Sequence, residues 1–264
     1  MTTTTTTPAS APVRSFQVDQ LPVQVYAGRA DLSAAVARMT QTHLAGVLAA
    51  QGSAAVILAT GNSQIQFLEE LHRLGGVDWS RVTLFHMDEY LGIPGDHPAC
   101  FRRYMRERVA AKFQPKAFHY LEGDALLPMD ECDRYSALLH AQPIDLCCLG
   151  VGENGHLAFN DPPVANFQDR HSVTIAKLDD ACRLQQVNEG HFPNLAAVPQ
   201  YALTLTIPML CSARKLICLA PEKRKAEAIR RALREPVSHA CPASVLRTQP
   251  HATLLLDTDS AALL

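Results

Sequence analysis

The chain contains no apolar run long enough to span a bilayer and no secretory-type apolar core near its start. Both absences argue against a membrane role and for a cytoplasmic protein. An excess of positive charge is missing too. A formal net charge of −2 leaves no electrostatic footprint for nucleic acid or an anionic membrane surface, although local basic residues can still hold an anionic small molecule. No CxxC pair occurs among the 8 cysteines, and Cys147, Cys148 and Cys218 fall inside apolar runs. Reduced, buried thiols are therefore expected in place of disulfides. HxxxH, the P-loop and GxSxG are also absent. Gly150-Val151-Gly152 begins a GxG, but Asn154-Gly155 breaks the dinucleotide spacing. Nucleotide hydrolysis, NAD chemistry and a serine nucleophile are discounted on these grounds, and no metal-ligand spacing of these kinds occurs.

What is present suits an α/β enzyme. The 264 residues, 47% of them hydrophobic, can bury a sizeable core in one domain. Residues 1–13 are low-complexity Thr/Pro/Ala. Residues 1–20 are read as a disordered tail and 21–264 as a single domain. Strand-like runs at Val23–Tyr26, Ala54–Ala59, Val82–His86, Ile144–Leu149, Lys215–Leu219 and Ala252–Leu256 alternate with helix-like segments at Arg29–Gln51, Gln64–Arg73, Pro98–Phe113, Cys132–Leu139, Arg224–Leu233 and Ser244–Arg247. Such alternation predicts a mainly parallel sheet with helices on both faces, an α/β three-layer fold.

Several segments that follow strand-like runs carry polar or special-backbone residues. Thr60-Gly61-Asn62-Ser63 is a strand-to-helix turn whose N–H groups could meet a phosphate, or could simply cap the helix. Met87-Asp88-Glu89-Tyr90 places two adjacent carboxylates in opposite directions. One could serve as a general base if partly buried, while a solvated acidic pair is the plainer reading. Gly150 to Asp161 is the most informative stretch. It joins Gly152 and Gly155 to His156, with Asn154, Asn160 and Asp161 around it. A lone histidine is more often a core residue, but this one has neighbours able to fix its tautomer. Arg183 and the run Lys223-Arg224-Lys225 supply positive charge, and charge runs are usually solvated helix faces.

Met87-Asp88-Glu89-Tyr90 with Gly92, His97-Pro98 and Phe101, followed by Gly150-Val151-Gly152-Glu153-Asn154-Gly155-His156-Leu157-Ala158-Phe159-Asn160, resembles the glucosamine-6-phosphate deaminase (isomerase) family. The resemblance continues through Val198-Pro199, Ala202-Leu203-Thr204 and Lys225-Ala226 to Pro242-Ala243-Ser244-Val245-Leu246, covering roughly residues 25–257. It implies the three-layer α/β sheet shared with ribose-5-phosphate isomerase and 6-phosphogluconolactonase. The implied reaction converts an amino-sugar 6-phosphate and water into a ketose 6-phosphate and ammonia, with no metal or organic cofactor. In that reading His156 opens the sugar ring, Asp88 is the base at C2, and Asn154 and Asp161 support ring opening. The phosphate rests on Thr60, Gly61, Asn62 and Ser63, helped by Arg183 and Lys225; Glu89 and Gly152 complete the substrate contacts. Asp161 stands where many members have glutamate, and Asn154 where some have aspartate.

Two alternatives accompany this reading: a 6-phosphogluconolactonase-type hydrolase, and a non-catalytic sugar-phosphate sensor. A carboxylate base at Asp88 is unnecessary for either. The partner expected is a small sugar phosphate, with no nucleic acid and no membrane. A homo-oligomer stays open. The segment Val164–Lys177 has no match to the basic allosteric site of regulated members, so activation by N-acetylglucosamine 6-phosphate is not expected.

Overall fold

The computed structural model describes residues 11–264. The first strand, β1 (Arg14–Val18), pairs antiparallel with β2 (Leu21–Tyr26) across a tight turn at Asp19 and Gln20. This corrects the expectation of a tail reaching residue 20. Phe16 and Val18 alternate with polar residues and pack on the core, so the segment has an apolar edge to bury. Residues 1–10 of the expected tail lie outside the described residues.

After β2 come α1 (Arg29–Gln51), β3 (Ala54–Leu58), α2 (Asn62–Leu74), β4 (Val82–His86) and the short β5 (Asp88–Tyr90). One continuous helical stretch follows: α3 (Phe101–Met105), a π-helical turn (Arg106–Ala110) and α4 (Ala111–Phe113). The chain continues through β6 (Ala117–His119), α5 (Pro128–His140), β7 (Leu146–Leu149), β8 (Val173–Lys177), α6 (Asp180–Asn188), β9 (Tyr201–Leu205), α7 (Ile207–Cys211) and β10 (Leu216–Ala220). A 3₁₀ turn (Lys223–Lys225), α8 (Ala226–Arg234), a second 3₁₀ segment (Pro242–Thr248) and β11 (Ala252–Asp257) complete it.

The main sheet has strand order β1-β2-β11-β10-β7-β3-β4-β6 and is parallel throughout except at β1. Its central strands β3, β4, β7 and β10 are buried along their whole length, as the near-continuous apolar strands of a doubly covered parallel sheet are. On one face lie α1, α2 and the 101–113 helix, closing a core around Leu32, Leu44, Phe67 and Met105. The other face packs against α5, α7, α8 and part of a small sheet, β5-β9-β8, which is antiparallel.

Two features of this topology position a site. The chain leaves β3 for β4 on one side and later returns to place β7 on the other. That reversal opens a crevice at the carboxyl ends of β3 and β7, the place where ligands bind in open parallel sheets. The small sheet then brings Asp88 of β5 opposite Thr204 of β9.

Candidate active site

Four neighbouring parallel strands each deliver residues to one cleft of ≈ 610 Å³, measured with its open mouth. Beyond β3 lie Thr60, Gly61, Asn62 and Ser63; beyond β4, Met87 and Asp88; beyond β7, Gly150, Val151, Gly152 and His156; beyond β10, Arg224 and Lys225. Of the residues singled out from sequence, Thr60, Gly61, Asn62, Ser63, Asp88, Gly152, His156 and Lys225 therefore line one cavity.

The turn after β3 works because Gly61 takes φ +104, a value L side chains rarely adopt, as it enters α2. No side chain caps that helix, so the first-turn N–H groups of Asn62 and Ser63 have no capping partner. Across the cleft, Lys225 is 4% exposed, and burial, reinforced by the charge of Arg224, lowers its pKa to about 8. The surrounding carboxylates hold Arg224 instead: Glu153 at 2.9 Å, Glu189 at 2.5 Å and Glu222 at 2.6 Å.

Asp88 is buried and its Oδ1 has no hydrogen-bond partner. Burial first, and then the neighbouring Glu89, push its pKa well above the ordinary carboxylate value. That environment suits a carboxylate that must take a proton.

His156 owes its place to a glycine. A Cβ on Gly152 would come within 2.2 Å of the imidazole ring, so only glycine lets the ring lie against the loop. The loop closes on itself through Gly152 N–H to His156 C=O (3.0 Å) and His156 N–H to Asn154 Oδ1 (3.0 Å). Behind the ring, Nδ1 lies 2.9 Å from Asp161 Oδ1, although the two atoms are not aligned for a straight N–H···O bond. Asp161 also accepts from Asn154 Nδ2 (3.0 Å) and from the backbone N–H of Asp179 (2.9 Å). Burial opposes ionisation of Asp161, but its contacts with His156, then Asn154 and Asp179, outweigh it and hold the pKa below the usual value. Asn154 and Asp161 thus stand behind His156 and do not line the cleft.

Two expected contacts are redirected. Glu89 is fully buried and accepts the backbone N–H groups of Tyr90 (3.0 Å), Phe101 (3.1 Å) and Arg102 (2.8 Å) and the Cys100 thiol (3.2 Å). It anchors the start of α3 and faces away from the cleft, because successive residues of β5 point to opposite sides. Arg183 is spent on Asp180 Oδ1 and on the carbonyls of Leu195 and Val198, where it ties down the loop after α6. The arginine that lines the cleft is Arg224.

Sequence reasoning passed over Gln185, Gln186, Glu189 and His191, which form one wall of the cleft from α6 and the turn after it. Nothing in that polar helix marks it as a site wall. The available signal was Asp179-Asp180, an acidic helix start following directly on β8.

Comparison with known proteins agrees with this geometry. The sequence profile of the family described as glucosamine-6-phosphate isomerases/6-phosphogluconolactonase matches residues 27–255. The chain is 36% identical over 207 residues to the glucosamine-6-phosphate deaminase of Exiguobacterium sibiricum, covering 78% of this chain and 80% of that one. To the Listeria innocua protein of the same name it is 36% identical over 207 residues, covering 78% and 86%. Among solved structures, a monomeric glucosamine-6-phosphate deaminase superposes with TM-score 0.83 at 30% identity, covering 92% of this chain and 99% of that one. A 6-phosphogluconolactonase from Shewanella baltica superposes at 0.75 with 17% identity, covering 92% and 100%, a likeness of fold.

Proposed function

Given that this chain belongs to the glucosamine-6-phosphate isomerase/6-phosphogluconolactonase family, we propose that its cleft converts glucosamine 6-phosphate and water into fructose 6-phosphate and ammonia. The observation that carries this reading is Asp88, a buried carboxylate with an unpartnered oxygen beside the same cleft as His156. A lactone hydrolase has no proton to remove from carbon and no use for such a group.

The reaction proceeds in stages that these residues can serve. His156 moves a proton between the ring and anomeric oxygens, opening the pyranose. Asp161, seated by Asn154 and the Asp179 N–H, fixes the imidazole and balances its charge when it is protonated. Asp88 then removes the proton from C2 and returns it to C1, turning the amine-bearing carbon into an imine. Water adds to that imine, and ammonia leaves the resulting carbinolamine. The short side chain of Asp161 suffices because Nδ1 already lies 2.9 Å from it.

The phosphate is assigned to the N–H groups at Asn62 and Ser63, with Lys225 opposite. Arg224, which lines the cleft where Arg183 does not, adds positive charge on that side while paired with Glu153, Glu189 and Glu222. Eight free cysteines, and the absence among the described residues of any helix long and apolar enough to cross a membrane, support a cytoplasmic setting.

Purified protein offered glucosamine 6-phosphate and 6-phosphogluconolactone side by side should release ammonia from the first and leave the second at its spontaneous rate of hydrolysis. Enzymatic lactone hydrolysis without ammonia release would replace the deaminase reading with the hydrolase one. A substrate-induced thermal shift with turnover of neither would indicate a sensor.

A further inference from the structure

Behind His156 the structure gathers a third group that the reaction does not use. Cys182, in the first turn of α6, is 1% exposed. One ligand atom each from His156, Asp161 and Cys182 lie within 4.8 Å of one another. An imidazole nitrogen, a carboxylate oxygen and a thiol sulfur are a donor set suited to a borderline-soft divalent ion such as Zn²⁺. The His156 Nδ1 is buried and faces Asp161 Oδ1 at 2.9 Å, so a metal held there would replace that contact with two metal–ligand bonds. The three residues come from two separate segments and follow no familiar ligand spacing, which is why the absence of HxxxH and CxxC said nothing about them.

We propose that His156, Asp161 and Cys182 form a Zn²⁺ site with three protein ligands, and that occupancy inhibits the enzyme. Tetrahedral zinc sets its ligand atoms about 3.3–3.7 Å apart. The nitrogen–oxygen pair must therefore open slightly from 2.9 Å, and the other separations, none above 4.8 Å, must close by at most about 1 Å. Side-chain rotations supply both movements. Binding forms one Zn–S bond as the thiol proton passes to the buffer, while the imidazole binds through a nitrogen lone pair. Three ligands leave a fourth position for water. Inhibition follows because the metal engages both the imidazole and the carboxylate that orients it. This consequence rests on the proposed role of His156 in ring opening; metal binding itself does not.

Cobalt(II) titration of the full chain, freed of metal by chelator, tests the site directly. The expected result is a thiolate-to-cobalt band in the near ultraviolet that zinc displaces and that is missing in Cys182→Ser and Cys182→Ala. Should both variants fail to fold, His156→Gln at the cleft wall provides the same comparison, with a weakened band expected. Zinc should also suppress ammonia release reversibly with EDTA, at a midpoint raised about 100-fold or more in Cys182→Ser, the top of the range that loss of a mere supporting partner gives. Absence of the band, or its persistence in both Cys182 variants, would overturn the site. A Cys182-dependent band in a protein that releases no ammonia would keep the site and refute the deaminase reading, whereas ammonia release without the band would do the reverse.

Discussion

Asp88 is a carboxylate that the fold shields from water while leaving its Oδ1 without a hydrogen bond. If it removes the C2 proton, Asp88→Asn should lower kcat by about 10²–10⁴ with little change in KM, measured by ammonia release. A base must be ionised to act, and burial pushes this carboxyl's pKa upward. The acid limb of kcat/KM should accordingly rise at higher pH than an ordinary carboxylate would give. Lys225 sets the other limb. With a pKa lowered to about 8 it is charged below that pH and neutral above it, so KM should climb above about pH 8. Lys225→Met should show a raised KM at neutral pH and lose that limb. That Asp88, His156 and Lys225 meet in one cleft was legible because their neighbours form runs of recognisable type. Arg183 lies outside the cleft lining, bonded to Asp180 and to the carbonyls of Leu195 and Val198, a placement hidden because sequence shows a charge but not what the guanidinium bonds.

Among the secondary-structure elements, those that build the crevice were the easiest to foresee. Strands β3, β7 and β10 are short, apolar and uninterrupted, β4 carries only Thr83 and His86 as polar members, and each ends in residues that turn. The small sheet was missed because β5 has three residues and β8 mixes buried with exposed positions; its existence depends on pairing with β9 from distant sequence. The wall from α6 was hidden for the same reason, as Gln185 and Gln186 are buried amides that look like surface residues. Glu89 illustrates how an element uses a residue that sequence assigns to a substrate. Glu89→Ala would strip acceptors from the buried N–H groups at the start of α3 and should destabilise the protein by at least about 2 kcal/mol, read from the denaturant midpoint. Gly152→Ala tests the loop after β7. The added methyl would collide with the imidazole, so ammonia release should drop by about tenfold or more through displacement of the general acid–base group, while far-ultraviolet circular dichroism stays unchanged.

At the scale of the whole molecule, the groups assigned to the reaction gather at one edge of one sheet. Because the segment Val164–Lys177 has no match to the basic allosteric site of regulated members, N-acetylglucosamine 6-phosphate should leave turnover unchanged and saturation with glucosamine 6-phosphate should be hyperbolic. Sigmoidal kinetics relieved by that compound would show a regulatory assembly. The central claim is that this cleft deaminates an amino-sugar phosphate with Asp88 as its carbon base. Ammonia release from glucosamine 6-phosphate, followed for the wild type and Asp88→Asn in the same assay, tests it most directly. Release by the wild type that Asp88→Asn abolishes while still binding the substrate is the predicted result; equal release by both proteins, or none from the wild type, would contradict it.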